Sequence, residues 1–454
     1  MLTRILTLRF LLCTVTLWLA SLVAAPPGFP IAISACGGEP FAFENAEVNV
    51  VILPYFQSGS SPRQLDGLGS QLALLVKLET LYRAMAYDRW GIVLLTGPKK
   101  ECDPERIANE LLLMKRIRPG GRLIMVWGKL YQQDEDIYVQ TYAKSYRNPL
   151  PNEKVPPTEI GMPLGGNVFE GRISNTEFAF PPEQLPISVM KAVADNFKKA
   201  VFLYDAPQLN SSKNPIPVDQ FRKCDDCRGA LAFTVEGREG DWIHVKAQGG
   251  RDGYLIAHLE EGASLSQRMP EVIFLQGLMG FLRYAVQTPN TDRLQWSADL
   301  QVSELALMEY AERDEAGQEP ETKAAALQMS GILDFAHSRT NFSERFDAAY
   351  QLVPYSSDSR NLAAMFRLYH DYNLPTRSLR PREIANDFVA AAALDPRNAL
   401  VLANLQSFYE LLDSPATEVR VNGDFAIKPD EVHTSLEKVK AIRKSLDAKL
   451  APGN

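Results

Sequence analysis

Cysteine and histidine are scarce, with five of each in 454 residues. The histidines (His244, His258, His337, His370 and His433) include no pair at helical ligand spacing and no His-Glu-x-x-His. That excludes the common zinc-hydrolase pattern, in which two histidines share a helix face. No Gly-x-Ser-x-Gly is present, so the nucleophile elbow of the α/β-hydrolases is excluded. The Gly-rich pieces Ser58-Gly59-Ser60 and Gly165-Gly166 do not lead into Gly-Lys-Ser/Thr, so neither is a phosphate-cradling loop. A basic excess is lacking too: the net charge is -7, which argues against a nucleic-acid binder. After residue 36 no apolar run is long enough to span a bilayer. The acidic pairs Asp134-Asp136 and Asp225-Asp226 sit in polar turns and offer too few oxygens in sequence for calcium. No catalytic residue, metal site or cofactor is expected.

What is present is ordinary globular material: 46% hydrophobic and 23% charged residues. The length implies about two to four domains. Residues 1–25 differ from the rest. Arg4 and Arg9 precede an apolar run from Phe10 to Ala25, closed by small residues and then Pro26-Pro27. A basic start, an apolar middle and a small-residue exit form a secretory signal. An uncleaved N-terminal anchor is one alternative. Another starts from Ile33-Ser34-Ala35-Cys36, which resembles a lipobox and makes Cys36 a candidate lipidation site. Each version places the chain outside the cytoplasm, periplasmic or extracytoplasmic, with membrane association through the N-terminus in two of them. Residues 26–45 read as a linker. Cys224 and Cys227, in Cys-Asp-Asp-Cys, follow Pro-rich loop sequence with no second Cys pair nearby. A short local disulfide is the expectation; metal or redox roles are the alternatives.

From 46 to 205 strand and helix signals alternate. Val48 to Leu53 is a buried strand, and Leu65, Leu68, Leu72, Leu75, Leu78 and Tyr82 make an amphipathic helix. Ile92 to Leu95 is a second strand. Asp103-Pro104 opens a second helix, with Asp as cap and Pro where no N–H is needed. Leu123–Tyr131 and Ile137–Tyr146 are β runs, the second alternating Ile137, Val139, Thr141 against Tyr138, Gln140, Tyr142. A strand is expected near Val168 to Phe180 and a closing helix from Pro186 to Tyr204. The stretches LPYFQSGSSPRQLDGLGSQLALLVKL and LIMVWGKLYQQDEDIYVQTYAKSY resemble the TolB-like α/β domain of bacterial envelope proteins. At the hairpin tip Asp134-Glu135-Asp136 stands where that family has Gly. The resemblance implies an α/β sandwich that docks partners and brings no active-site motif.

Residues 206–262 hold short strands at Ala230–Val235, Trp242–Val245 and from Tyr254, punctuated by Gly237, Gly240, Gly249, Gly250 and Gly253. Val-x-Gly, Gly-Asp-Trp-Ile-x-Val and Gly-x-x-Gly-Tyr are similar to the second half of a bacterial SH3-like β barrel. The resemblance implies a small module in which Trp242 fills the core, with Trp242 and Tyr254 as candidate contacts to a peptide or glycan. Residues 263–454 are helical. Phe388, Ala391 and Leu394-Asp395-Pro396, followed by Leu402, Leu405 and Tyr409, look like a tetratricopeptide junction. The alternative is an irregular bundle. A repeat array offers a concave groove, and Tyr409 is its candidate contact. Regions 273–287, 297–312 and 320–338 are further helices, and a charged helix runs from Glu431 to Lys449. The expected fold is therefore multidomain α+β: an α/β sandwich, a small SH3-like barrel and a TPR-like helical domain. The expected function is a non-enzymatic, exported docking or assembly scaffold with protein partners in the cell envelope. A peptidoglycan-targeting protein, or less favoured an enzyme within 46–205, is the alternative.

Overall fold

The computed structural model describes residues 42–44, 46–57, 68–83, 90–95, 103–150, 160–186, 202–215, 230–247, 252–256, 269–286, 293–313, 318–337, 342–373, 379–414 and 426–450. The N-terminal leader, Cys36, Cys102, Cys224 and Cys227, His258, and residues 187–201 of the expected closing helix lie outside them.

Strand β1 (Val48–Ile52) is fully buried along its length. It lies between β3 (Trp90–Leu95) and β4 (Arg122–Gln133), parallel to both. Parallel neighbours require crossover connections. Helix α1 (Leu68–Arg83) and helix α2 (Pro104–Leu113) lie in the two connections. The start of α2 follows the capping rule: Asp103 Oδ1 accepts from the Arg106 N–H at 3.2 Å, and Pro104 opens the first turn. β4 and β5 (Asp136–Arg147) form a long hairpin, and β2 (Phe56–Gln57) pairs with β4. At its tip Asp134 adopts φ 57°. Asp tolerates this left-handed conformation better than most side chains, which is why the turn closes without Gly.

The expected strand near Val168–Phe180 is split. β6 (Ile160–Leu164) and β7 (Asn167–Gly171) form a separate two-stranded ribbon. The next strand, β8 (Glu177–Ala179), joins β5, as does β9 (Glu183–Leu185). The end of the expected closing helix is instead β10 (Phe202–Tyr204), paired with β11 (Lys213–Pro215).

β12 (Ala230–Glu239), β13 (Trp242–Ala247) and β14 (Asp252–Ile256) form the expected meander. They do not stand alone. β12 pairs antiparallel with β3, and β14 pairs with β10. The order β11–β10–β14–β13–β12–β3–β1–β4–β5–β8 is one open ladder across residues expected to form two modules. Ile243, Val245 and Leu255 share a core with Val48, Val50 and Ile52. The physical reason is edge closure: β3 uses one side on β1, and β12 satisfies the backbone groups on its other side.

The C-terminal part is helical, as expected. Its helices are α3 (Pro270–Val286), α4 (Arg293–Glu312), α5 (Pro320–Ala336), α6 (Phe342–Leu352), α7 (Ser357–Asn373), α8 (Pro381–Leu394), α9 (Ala399–Asp413) and α10 (Pro429–Leu450), each packed on the next. The α8–α9 turn falls at Asp395–Asn398, where Asn398 Oδ1 accepts from the Val401 N–H. α3 lies against the sheet: Phe274 meets Phe178 at 4.7 Å and Phe180 at 5.3 Å between ring centroids. The opposite sheet face is covered by α2, through Ile107, Ala108 and Leu111 against Val51, Leu53, Leu123 and Met125. The architecture is mixed α+β, with a helical C-terminal region sharing the main sheet's core.

Tyr55 lies flat over β4 because position 128 is Gly. A Cβ there would stand 2.2 Å from Tyr55 Cδ1 and Cε1. Gly128→Ala is therefore expected to cost about 1–3 kcal/mol by overpacking, read as a lowered urea midpoint at unchanged slope.

Candidate functional site

Three surfaces or clusters carry the side chains that could act. The first contains the residues singled out from sequence. In the β13–β14 register His244 faces Tyr254 and Ile243 faces Leu255. Strand alternation therefore puts Ile243, Val245 and Leu255 inward and the His244–Tyr254 pair outward. The two rings stack at 4.7 Å with 20° between planes. Their polar tips are held locally. Tyr254 donates to Glu239 Oε1 at 3.2 Å, and His244 Nε2 lies 2.6 Å from Asp252 Oδ1. Desolvation, then the neighbouring Glu239 and Asp252 carboxylates, push the Tyr254 phenol above its ordinary range. Trp242 is half-buried and meets Tyr204 edge-to-face at 5.1 Å, against the main core. Its first role is packing. Tyr409, expected to line a groove, is only 6% exposed. It lies against Phe408 and takes a hydrogen bond with Ser435 of α10, because the last helix closes over α9. The three residues are not brought together: Trp242 and Tyr254 lie on the neighbouring strands β13 and β14, and Tyr409 belongs to the core of the helical array.

The second is the face of β4 and β5 turned away from α3. Trp127 stacks with Tyr142 at 5.8 Å and Tyr131 with Tyr138 at 5.6 Å. Lys129 Nζ stands 5.7 Å from the Tyr142 ring centroid. Cross-strand register explains the pairs, since Trp127 faces Tyr142 and Tyr131 faces Tyr138. All five side chains are half-buried, as is Gln140 between them. Alternation along β5 was legible in the sequence. The concentration of aromatics on its outward positions was also there to read, as Trp127 and Tyr131 four apart and Tyr138 and Tyr142 four apart.

The third cluster is buried. Tyr55 Oη lies 3.0 Å from Thr141 Oγ1, and that hydroxyl donates to Glu271 Oε1 at the start of α3. Exposures of 3%, 1% and 2% for Tyr55, Thr141 and Glu271 leave no member open to solvent. Burial, reinforced by the Glu271 charge, pushes the Tyr55 phenol far up. Lys77 of α1 is also fully enclosed, and desolvation holds its ammonium well below the usual lysine range. Nearby, Glu47 at the head of β1 pairs with Arg283 at 3.3 Å and Arg118 at 3.6 Å. Sequence reasoning missed all of these, because a lone Glu, Thr or Lys on an amphipathic element carries no local sign of burial. Tyr55 with Thr141 and Glu271, and Glu47 with Arg283, join α3 to the sheet.

Among the described residues no group of three or more His, Cys, Asp or Glu is placed to hold a metal ion. Among them, too, no helix is long and apolar enough to cross a membrane. No family model, curated protein or solved structure matches the chain.

Two predictions follow from burial. Trp242→Ala should cost roughly 3 kcal/mol, as loss of a large packed aromatic, whereas Tyr254→Ala should cost under about 1 kcal/mol; urea unfolding distinguishes them. Lys77 gives a pH dependence. Its folded pKa is depressed, so between that value and the ordinary lysine range the unfolded chain binds more protons and stability rises with pH. Lys77→Met should flatten that rise, seen by comparing urea midpoints at about pH 7 and about pH 9.

Proposed function

We propose that this chain is a non-enzymatic, exported scaffold that docks protein partners in a cell envelope. The observation that carries the reading is the half-buried aromatic face of β4 and β5, backed by a sheet and helices packed into one core. Aromatic side chains give large contact area at little rotamer cost, and they are enriched where interfaces concentrate their energy. Trp127, Tyr131, Tyr138 and Tyr142 are pre-ordered by stacking, and Lys129 and Gln140 add polar contacts between them. The basic leader supports export, and the net charge of -7 favours protein over nucleic acid as partner. The finer likenesses to a TolB-like domain, an SH3-like barrel and tetratricopeptide repeats belong to the same reading, as modules specialised for contact.

The peptidoglycan-targeting reading has one observation of its own: the Tyr254–His244 stack on the outward face of β13 and β14, half-buried. Retention of the full chain on insoluble peptidoglycan, lost on Tyr254→Ala, would put that reading ahead.

Crosslinking from the native envelope, read by mass spectrometry, tests the scaffold. The wild-type chain should crosslink to defined protein partners, and Tyr131→Ala/Tyr138→Ala should reduce those crosslinks by about tenfold while leaving the fold intact. Recovery of a small-molecule substrate and no protein partner would sink the reading.

A further inference from the structure

Residues 160–179 run along one side of the helical array, and α5, α7 and α9 hold them by their backbone. Asn404 of α9 takes both groups of Glu170: its Oδ1 accepts the Glu170 N–H at 2.9 Å and its Nδ2 donates to the Glu170 carbonyl at 2.6 Å. Asn361 of α7 donates to the same carbonyl at 3.2 Å and accepts from Asn404 at 2.9 Å. Asp358 of α7 pairs with Arg172 at 2.9 Å. Gln328 of α5 accepts the Ser174 N–H at 2.8 Å. Thr322 of α5 accepts from the Ala179 N–H at 3.2 Å and donates to its carbonyl at 3.0 Å. Asn404, Asn361, Gln328 and Thr322 are each at most 1% exposed. The contacts they make are to N–H and C=O, which every residue type offers.

Side chains of the segment are read as well: Ile160, Met162, Leu164 and Ile173 lie in the main core, and Arg172 pairs with Asp358. Phe169 is fully buried and stacks on Phe388 of α8 at 6.3 Å. Beside it, Gly171 lets the strand approach α7, since a Cβ there would stand 2.5 Å from Leu362 Cδ2. Among the described residues the β6–β7 ribbon pairs with no other strand, and Val168 on its outer face is 58% exposed. A two-stranded hairpin is marginal by itself in water, so the groove holds it in place.

The fit has one defect. Gln328 Nε2 and Ser174 Oγ are both buried with no hydrogen-bond partner among the described residues. Where Asn404 spends both its polar groups on the strand, Gln328 spends one. A strand presenting its carbonyl at that rung would satisfy the amide that residues 160–179 leave idle.

We propose that the side of α5, α7, α8 and α9 facing residues 160–179 is a strand-binding groove which the chain fills with that segment. The partner it fits is an extended peptide segment with an aromatic residue seated on Phe388 and small residues beside it, which competes with the built-in strand. The tether gives the resident strand an effective concentration in the millimolar range, so the intact protein binds such a peptide weakly and the groove is self-inhibited.

The test uses the full chain and a fluorescent peptide of residues 160–180, read by anisotropy. Wild type should bind weakly. Phe169→Ala in the chain weakens the resident strand and should tighten peptide binding by about tenfold or more. Adding Asn404→Ala should abolish the gain, as should replacing Phe169 in the peptide. A Phe169→Ala chain that keeps its helical circular dichroism and binds no tighter than wild type overturns the proposal. Hydrogen exchange on unaltered protein gives an answer independent of any variant's folding. The Glu170 and Ala179 amides should exchange at least about tenfold faster than those in the middle of α7 and α9, through local opening of the strand. Equal protection would mean that the strand leaves only on global unfolding, and would overturn it as well.

Discussion

The hydroxyl chain from Tyr55 through Thr141 to Glu271 is the contact on which the joining of the two halves turns. It links the loop after β1, the middle of β5 and the first turn of α3, three pieces far apart in sequence. A carboxylate buried to 2% exposure is costly unless hydrogen-bonded, so this geometry is specified rather than merely allowed. Once α3 is fixed there, Phe274 falls between Phe178, Phe180 and Tyr310, and the helices that follow stack outward from it. Glu47 with Arg283 pins the far end of the same helix to the start of β1. A single helix thus carries the register between sheet and array.

From that seam the array reaches back to the sheet a second time, along residues 160–179. The two kinds of contact differ. At the α3 seam, side chains meet side chains and any change of partner leaves a charge or hydroxyl stranded. Along the groove, amide and hydroxyl side chains meet backbone, beside the buried side chains of Ile160, Met162, Leu164, Phe169 and Ile173. Those side chains, the close approach at Gly171 and the Arg172–Asp358 pair impose identity, and the backbone contacts add recognition of an extended chain.

Much of this was legible from residue order and much was not, for one reason. Signals confined to a few neighbouring residues translated directly. Asp103-Pro104 opened a helix, Ile137 to Tyr146 alternated as a strand, and Leu394-Asp395-Pro396 ended one helix before the next. Pairings between distant segments did not. Nothing in Ala230–Val235 announces that its partner is β3, and nothing in Asn361 or Asn404 separates a buried amide from an exposed one. The same limit separates the candidate residues. Tyr254 and Trp242 stood out because aromatics among glycines are conspicuous locally, yet Trp242 is half committed to the core and Tyr409 wholly so. The aromatic row on β4 and β5 lay within an alternation already recognised, but its meaning depends on which face the helices cover.

The continuous sheet shows why the barrel-like segment could not stay separate. β3 is flanked on one side by β1, and without β12 its other side would present a row of unpaired backbone groups. A three-stranded meander has the same problem on its own first strand. Joining the two edges removes both liabilities at once, and the shared core of Ile243, Val245 and Leu255 with Val48 and Val50 follows from that pairing. At the opposite edge the solution is different: α5 covers β8 by giving the Ala179 N–H and C=O a threonine hydroxyl in place of another strand. Thr322 therefore serves two ends, sealing an edge and forming the last rung of the groove. This is how a helical array comes to bind extended backbone: the side chains that cap a sheet edge are the same kind that grip a strand.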